Sequence, residues 1–194
     1  MGSMLALIVS IMLGGMILVS FQQFNRDFSE DIYRDTLDKV ASDNLDNLQQ
    51  IIEYDFSRIG IGVNDPAQAV LTNADSTDFT YWADSDGNGT LETIRYYLGA
   101  TTAAVAAATA NPNDMVLYRV VNGGTPAPVS TGLTDFKIQF FDSGGNETAD
   151  LSAIRTLIVS LSLESDYAAF AEDNAYPKLL WQERFTPPSL VVRP

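Results

Sequence analysis

Residues 4–20 (MLALIVSIMLGGMILVS) run without a charge, and their only polar side chains are two serine hydroxyls. As a helix rising 1.5 Å per residue this block covers roughly 25 Å of a hydrocarbon core about 30 Å thick. It is apolar on every side, whereas a helix lying on the core of a small domain is amphipathic. A secretory signal peptide would carry a basic n-region and a small-residue cleavage site. Met1-Gly2-Ser3 has no Lys or Arg, and Leu18-Val19-Ser20 matches A-x-A poorly. The block therefore reads as a retained membrane anchor, the more so because helical periodicity continues beyond it.

From Phe21 the pattern becomes amphipathic. Phe24, Phe28, Ile32, Leu37, Val40 or Ala41, Leu45, Leu48, Ile52, Phe56 and Ile59 recur mostly at three or four residues, which predicts one apolar stripe along one helix. Glu30 with Arg34 and Asp35 with Lys39 are attractive i,i+4 pairs, and the face between Asp27 and Asp46 is acidic. That acidity reads as a solvated face or as a surface that meets basic groups on a neighbouring subunit. Gly60, Gly62 and Asn64-Asp65-Pro66 supply the stop. The prediction is one helix over residues 4–59, on the order of 80 Å long. Gly14-Gly15, inside the apolar block, suits either close helix packing or a bend.

A helix of that length cannot bury itself in one small domain, so its first half takes cover from lipid or from other chains. The expected organisation is residues 1–20 as membrane anchor and filament-core half, 21–62 as amphipathic half, and 63–194 as a globular sheet domain. There the period drops to two. Residues 77–83, 91–98, 115–121, 134–141, 151–164 and 179–185 read as strands, while the Ala/Thr-rich segment 99–114 reads as a surface loop. Short turns make antiparallel meanders, and the predicted class is α+β: a long N-terminal helix packed on an antiparallel sheet.

Composition narrows the chemistry. Eleven Lys and Arg against 25 Asp and Glu give a net charge of −14, which repels a phosphate backbone and excludes nucleic acid as partner. With no His and no Cys, imidazole- and thiolate-based catalysis, zinc sites and disulfides drop out. The expectation is a protein without enzymatic activity. One constellation suits a hard cation. Asp84, Asp86, Asn88, Thr90 and Glu92 place oxygens at alternate positions around turn-making glycines, like the first half of a Ca²⁺-binding EF-hand loop. Arg95 stands where the bidentate glutamate belongs, and a strand follows where a helix should, so a plain hairpin connection competes with the Ca²⁺ reading. Residues 142–147 read as a turn, and Trp82, Trp181, Tyr96 and Tyr97 as core or sheet-face aromatics.

The layout resembles the type IV pilin superfamily. Within it, residues 54–60 (YDFSRIG), 84–97 and 133–163 resemble minor pilins and the minor pseudopilins of type II secretion. The resemblance implies a structural subunit held in the inner membrane by its helix and assembled with other pilin-like subunits, alike or different, into a cell-surface or periplasm-spanning filament. It implies cleavage after Gly2 with methylation of Ser3. It also assigns assembly to the apolar helix, in particular Met4, Leu5, Leu7, Ile8 and Ile11, then Met12, Gly14, Gly15, Ile17 and Leu18. The family's early glutamate falls at Leu7, which suits a subunit placed once, at or near a tip, or a divergent filament. The alternative is a signal-anchored extracytoplasmic binding module, its helix a tether and its loop 84–92 the ligand site.

Overall fold

The structure is a computed structural model that describes residues 2–65, 67–101, 104–165 and 176–191. The Pro66 element of the expected helix stop lies outside the described residues. Helix α1 (Gly2–Ser57) is unbroken through Gly14 and Gly15 and is about 84 Å long. Its stop is as expected in kind. A turn follows, and Gly60 takes φ 75° while its N–H donates to Trp82 O at 2.9 Å. A Cβ at Gly60 would meet Ser189 Oγ at 2.5 Å and Val70 Cγ1 at 2.8 Å, so the backbone here passes too close to its neighbours for any side chain.

Seven strands follow: β1 (Leu71–Ala74), β2 (Asp78–Ala83), β3 (Glu92–Leu98), β4 (Met115–Val121), β5 (Ala127–Phe141), β6 (Thr156–Glu164) and β7 (Lys178–Phe185). They pair in sequence order as one antiparallel meander, and α2 (Pro188–Val191) closes the described chain. The fold is α+β, as the pattern predicts. The 15-residue β5 curls the sheet. Its first part pairs with β4 (Met115 opposite Leu133, Arg119 opposite Ala127), its second with β6 (Phe136 opposite Leu161, Phe140 opposite Leu157). Gly132, at φ 75°, sits at the change of partner. The β1–β2 turn then reaches the far half of β5, where Ile138 N–H donates to Ser76 O at 2.8 Å.

Leu45, Leu48, Ile52 and Phe56 of α1, with Ile59 in the turn after it, fill the inside of this curl against Phe79, Tyr81, Tyr96, Phe136, Leu157, Val159 and Phe185. Phe56 is the hub, with the rings of Phe79, Tyr81, Tyr96 and Phe185 at 5.3–6.3 Å, mostly edge-on. Tyr96 is in the core, whereas Trp82 and Tyr97 are half-buried on the outer face, Tyr97 stacked on Tyr118 at 5.2 Å.

Several expectations are corrected. The apolar stripe of α1 is two faces, not one. Leu37, Ala41, Leu45 and the residues below them are buried, but Phe24, Phe28 and Ile32 are 63%, 56% and 50% exposed, and Val40 is exposed too. The step from Ile32 to Leu37 is five residues, which at 3.6 residues per turn carries the row about 140° around the helix. The pairs Glu30–Arg34 and Asp35–Lys39 do not close into salt bridges among the described residues, because at full exposure an ion pair gains little over hydration. β1 is an extra edge strand, β5 begins seven residues before the predicted 134, and β6 begins at Thr156 instead of 151. Residues 151–153 turn, with Asp150 Oδ1 accepting from Ser152 N–H (2.9 Å) and Oγ (2.7 Å). Within the 99–114 loop, Ala106 and Asn111 are buried, and Asn111 Nδ2 donates to Glu164 Oε2 at 3.1 Å, so this segment is packed onto the sheet.

Candidate functional site

Two places have chemistry the fold does not absorb. The first is the upper half of α1. Its most apolar 18-residue window has a mean hydropathy of 2.5, and none of it is buried in the fold, so this one helix is long and apolar enough to cross a membrane. Met4, Leu5, Leu7, Ile8, Ile11, Met12, Ile17 and Leu18 are all exposed, and added Cβ atoms at Gly14 and Gly15 would meet nothing within 4 Å. Ser3 starts this exposed run, one residue inside the helix that begins at Gly2. Ser10 returns its hydroxyl to Ala6 O (2.9 Å), which satisfies the donor of one of the block's two polar side chains within the helix.

The second is the β2–β3 connection. Ala83 and Glu92 are register partners, so the hairpin brings Asp84 and Glu92 to the same end of the sheet. One carboxylate oxygen from each of Asp84, Asp86 and Glu92 lies within 4.8 Å of the other two. Oxygens around a single Ca²⁺ at about 2.3–2.6 Å are at most about 5 Å apart, so the triad fits one ion. Much of the loop is also held by its own hydrogen bonds. Asp86 accepts from Asn88 N–H (3.0 Å) and Nδ2 (2.8 Å), Asn88 Oδ1 from Thr90 N–H (2.7 Å), and Asp84 Oδ2 from Gly89 N–H (2.9 Å). Glu92, only 7% exposed, accepts through Oε2 from Ser85 N–H (2.8 Å) and Oγ (3.1 Å). What remains is Asp84 Oδ1, a carboxylate oxygen out of contact with solvent and without a donor. Asn88 and Thr90 are exposed, and Asn88 spends its side-chain oxygen on the loop itself. Arg58 Nη1 donates to Ser85 O at 2.9 Å, which ties the loop to the end of α1.

A third constellation was missed by the sequence reading. Asp55, 4% exposed on α1, accepts from Tyr96 OH (2.6 Å) and from Arg119 Nε (2.5 Å), while Tyr81 OH donates to the Asp55 carbonyl (3.3 Å). Burial, then the Asp55 charge, holds both tyrosine hydroxyls well above their ordinary pKa, so they remain neutral donors. Desolvation pulls the Arg119 pKa down, but the hydrogen bond and charge of Asp55 outweigh it and raise it. No group here faces a cleft, and the arrangement locks helix to sheet. Its sequence signal is phase: Asp55 lies 18 residues, five full turns, beyond Leu37 and so belongs to the buried face.

No family model matches the chain and no curated protein matches it, so what it does has to be read from the exposed helix and the loop.

Proposed function

We propose that the protein is a non-enzymatic structural subunit of the pilin-like kind. Its α1 sits in lipid through residues 4–20 and moves into a helical bundle as a filament forms, with the sheet domain held outside the cytoplasmic face. The observation that carries this reading is the apolar window of α1, which has no cover inside its own chain and yet continues without a break into the helix that fills the sheet. A tethered binding module would place a flexible polar linker between anchor and domain. Here the lower turns of the same rod are the domain's core, so anchor and sheet move as one body. Extraction in detergent followed by its removal tests the reading. Full-length protein is expected to convert to sedimenting helical assemblies, and protein lacking residues 4–20 to stay monomeric; a monodisperse full-length monomer without detergent contradicts it.

Asp84 Oδ1 favours a further element of this reading, a Ca²⁺ held by Asp84, Asp86 and Glu92, with Asn88 and Thr90 at its rim. Such an ion would offset most of the charge of three gathered carboxylates and stiffen the β2–β3 turn at the foot of α1. Millimolar Ca²⁺ is expected to raise Tm, and Asp84→Asn to abolish the rise. An unchanged Tm with no heat on titration removes the ion.

A further inference from the structure

α1 carries an apolar face that its own sheet cannot cover and that a bilayer reaches only at its upper end. Phe21, Phe24, Phe28 and Ile32 are all at least half exposed and spaced 3, 4 and 4, so they form one ridge; the rings of Phe24 and Phe28 stack at 6.1 Å. The ridge points about 140° away from the face that Leu37, Ala41 and Leu45 lay on the sheet, so no sliding of the domain brings the sheet over it. Lipid covers only its start. Phe21 and Phe24, roughly 26 and 30 Å along the helix from Met4, reach the edge of a hydrocarbon core of about 30 Å, but Phe28 and Ile32, at roughly 36 and 42 Å, lie beyond it, and covering them would draw Arg26, Asp27, Glu30 and Asp31 into the bilayer.

The flanks of the ridge say what can cover it. Asp27, Asp31, Asp35 and Asp38, spaced 4, 4 and 3, run beside it about 70° round the helix, and no ion pair closes on any of them among the described residues. The opposite flank is uncharged: Ser29 and Thr36 return their hydroxyls to Asn25 O (2.7 Å) and Ile32 O (2.8 Å). A second copy is a poor occupant. Residues 21–46 hold seven acids and three bases, so pairing this face with itself sets acidic ridge near acidic ridge, in a chain already at −14.

We infer that the Phe21–Ile32 face docks a helix of a different polypeptide, one whose apolar seam is edged with Lys or Arg. This rests on the bundle reading above and names the chemistry of the neighbour. Hydrophobic ridge packing supplies the contact, and the aspartate row selects the partner and disfavours pairing of this stretch with its own copy, while residues 4–20 stay free to bundle with like or unlike helices.

The test uses full-length protein in micelles and two synthetic helical peptides that share one Leu/Ile seam, edged in one with Lys and Arg and in the other with Glu. The basic peptide is expected to bind about tenfold tighter at low salt, and the difference to collapse at high salt. Phe24→Ser with Phe28→Ser abolishes binding of both, and Asp31→Lys with Asp35→Lys reverses the preference; all four positions lie outside the core, so the fold is retained. Because the chain has no cysteine, Phe28→Cys reports self-pairing directly, and no disulfide-linked homodimer is expected in micelles. Equal binding of the two peptides, binding of neither, or a ready Phe28→Cys homodimer overturns the partner assignment and leaves the bundle reading standing. Full-length protein that stays monomeric without detergent instead removes the bundle reading itself.

Discussion

Glu183 of β7 lies beside Glu53 of α1 at the helix–sheet joint. Desolvation of Glu183, then the charge and hydrogen bond of Glu53, raise its pKa above the ordinary carboxylate value. A raised folded pKa means the fold holds this proton more tightly than the unfolded chain does. The pair therefore supports the fold at acidic pH, and that support is lost as pH rises through the folded pKa, leaving two like charges at neutrality. Glu183→Gln is expected to stabilise at pH 7 by about 0.5 kcal/mol, raising Tm by roughly 1–2 °C. The gain should vanish below the usual carboxylate range. Thermal melts of both proteins at the two pH values check it, and a gain independent of pH contradicts it. Asp78 works in the opposite sense. Its hydrogen bond to Arg95 lowers its pKa, so what it adds is present at neutral pH and fades in strong acid.

Between elements, the joint of α1 with the sheet hangs on Asp55, Tyr96 and Arg119. Asp55→Ala strands a partly buried guanidinium and is expected to cost about 3 kcal/mol, at the lower end for a broken buried pair because Arg119 keeps some access to water. On a chain of this size that is a fall in Tm of roughly 6–12 °C in detergent. Asp55→Leu combined with Arg119→Met should recover most of it, and an unchanged Tm in Asp55→Ala contradicts the lock. β2, β3, β4 and β7 lie within a residue of where the sequence puts them, β4 through its β-branched and aromatic content rather than alternation, and the second half of β5 (Phe136, Ile138, Phe140) is where it is predicted. The first half of β5 (APVSTGL) was invisible because Pro128 and Gly132 break the period at a place where the strand changes partner. β1, four residues at the sheet's edge, is too short to show one. In the β2–β3 loop the alternating oxygens were legible, and the triad's proximity follows from the hairpin. The buried oxygen left on Asp84 depends on which hydrogen bonds the loop closes, which spacing alone does not encode.

For the whole molecule, the controlling feature is one rod serving two solvents. Its lower turns are the core of a curled sheet, its first turns are exposed and belong to a stretch long and apolar enough to cross a membrane, and between them lies a band whose apolar ridge faces away from the sheet. The length and the apolar start were plain from composition and period. The rotation between the two faces was not, since a five-residue step in a row of three and four looks like a small irregularity until it is converted to an angle. That rotation leaves the upper helix clear of the sheet domain. In the proposed filament, rigid continuity would let a neighbour gripping the top of α1 place the sheet domain at its foot. Because the chain has no cysteine, spin labels at Ser10→Cys and Gln50→Cys measure this directly by dipolar spectroscopy on the full-length protein, in micelles and after detergent removal. A single narrow distance of about 60 Å in both states is the predicted result, and a shorter or broad distribution, meaning a break between the apolar start and the sheet-bound end, would contradict it.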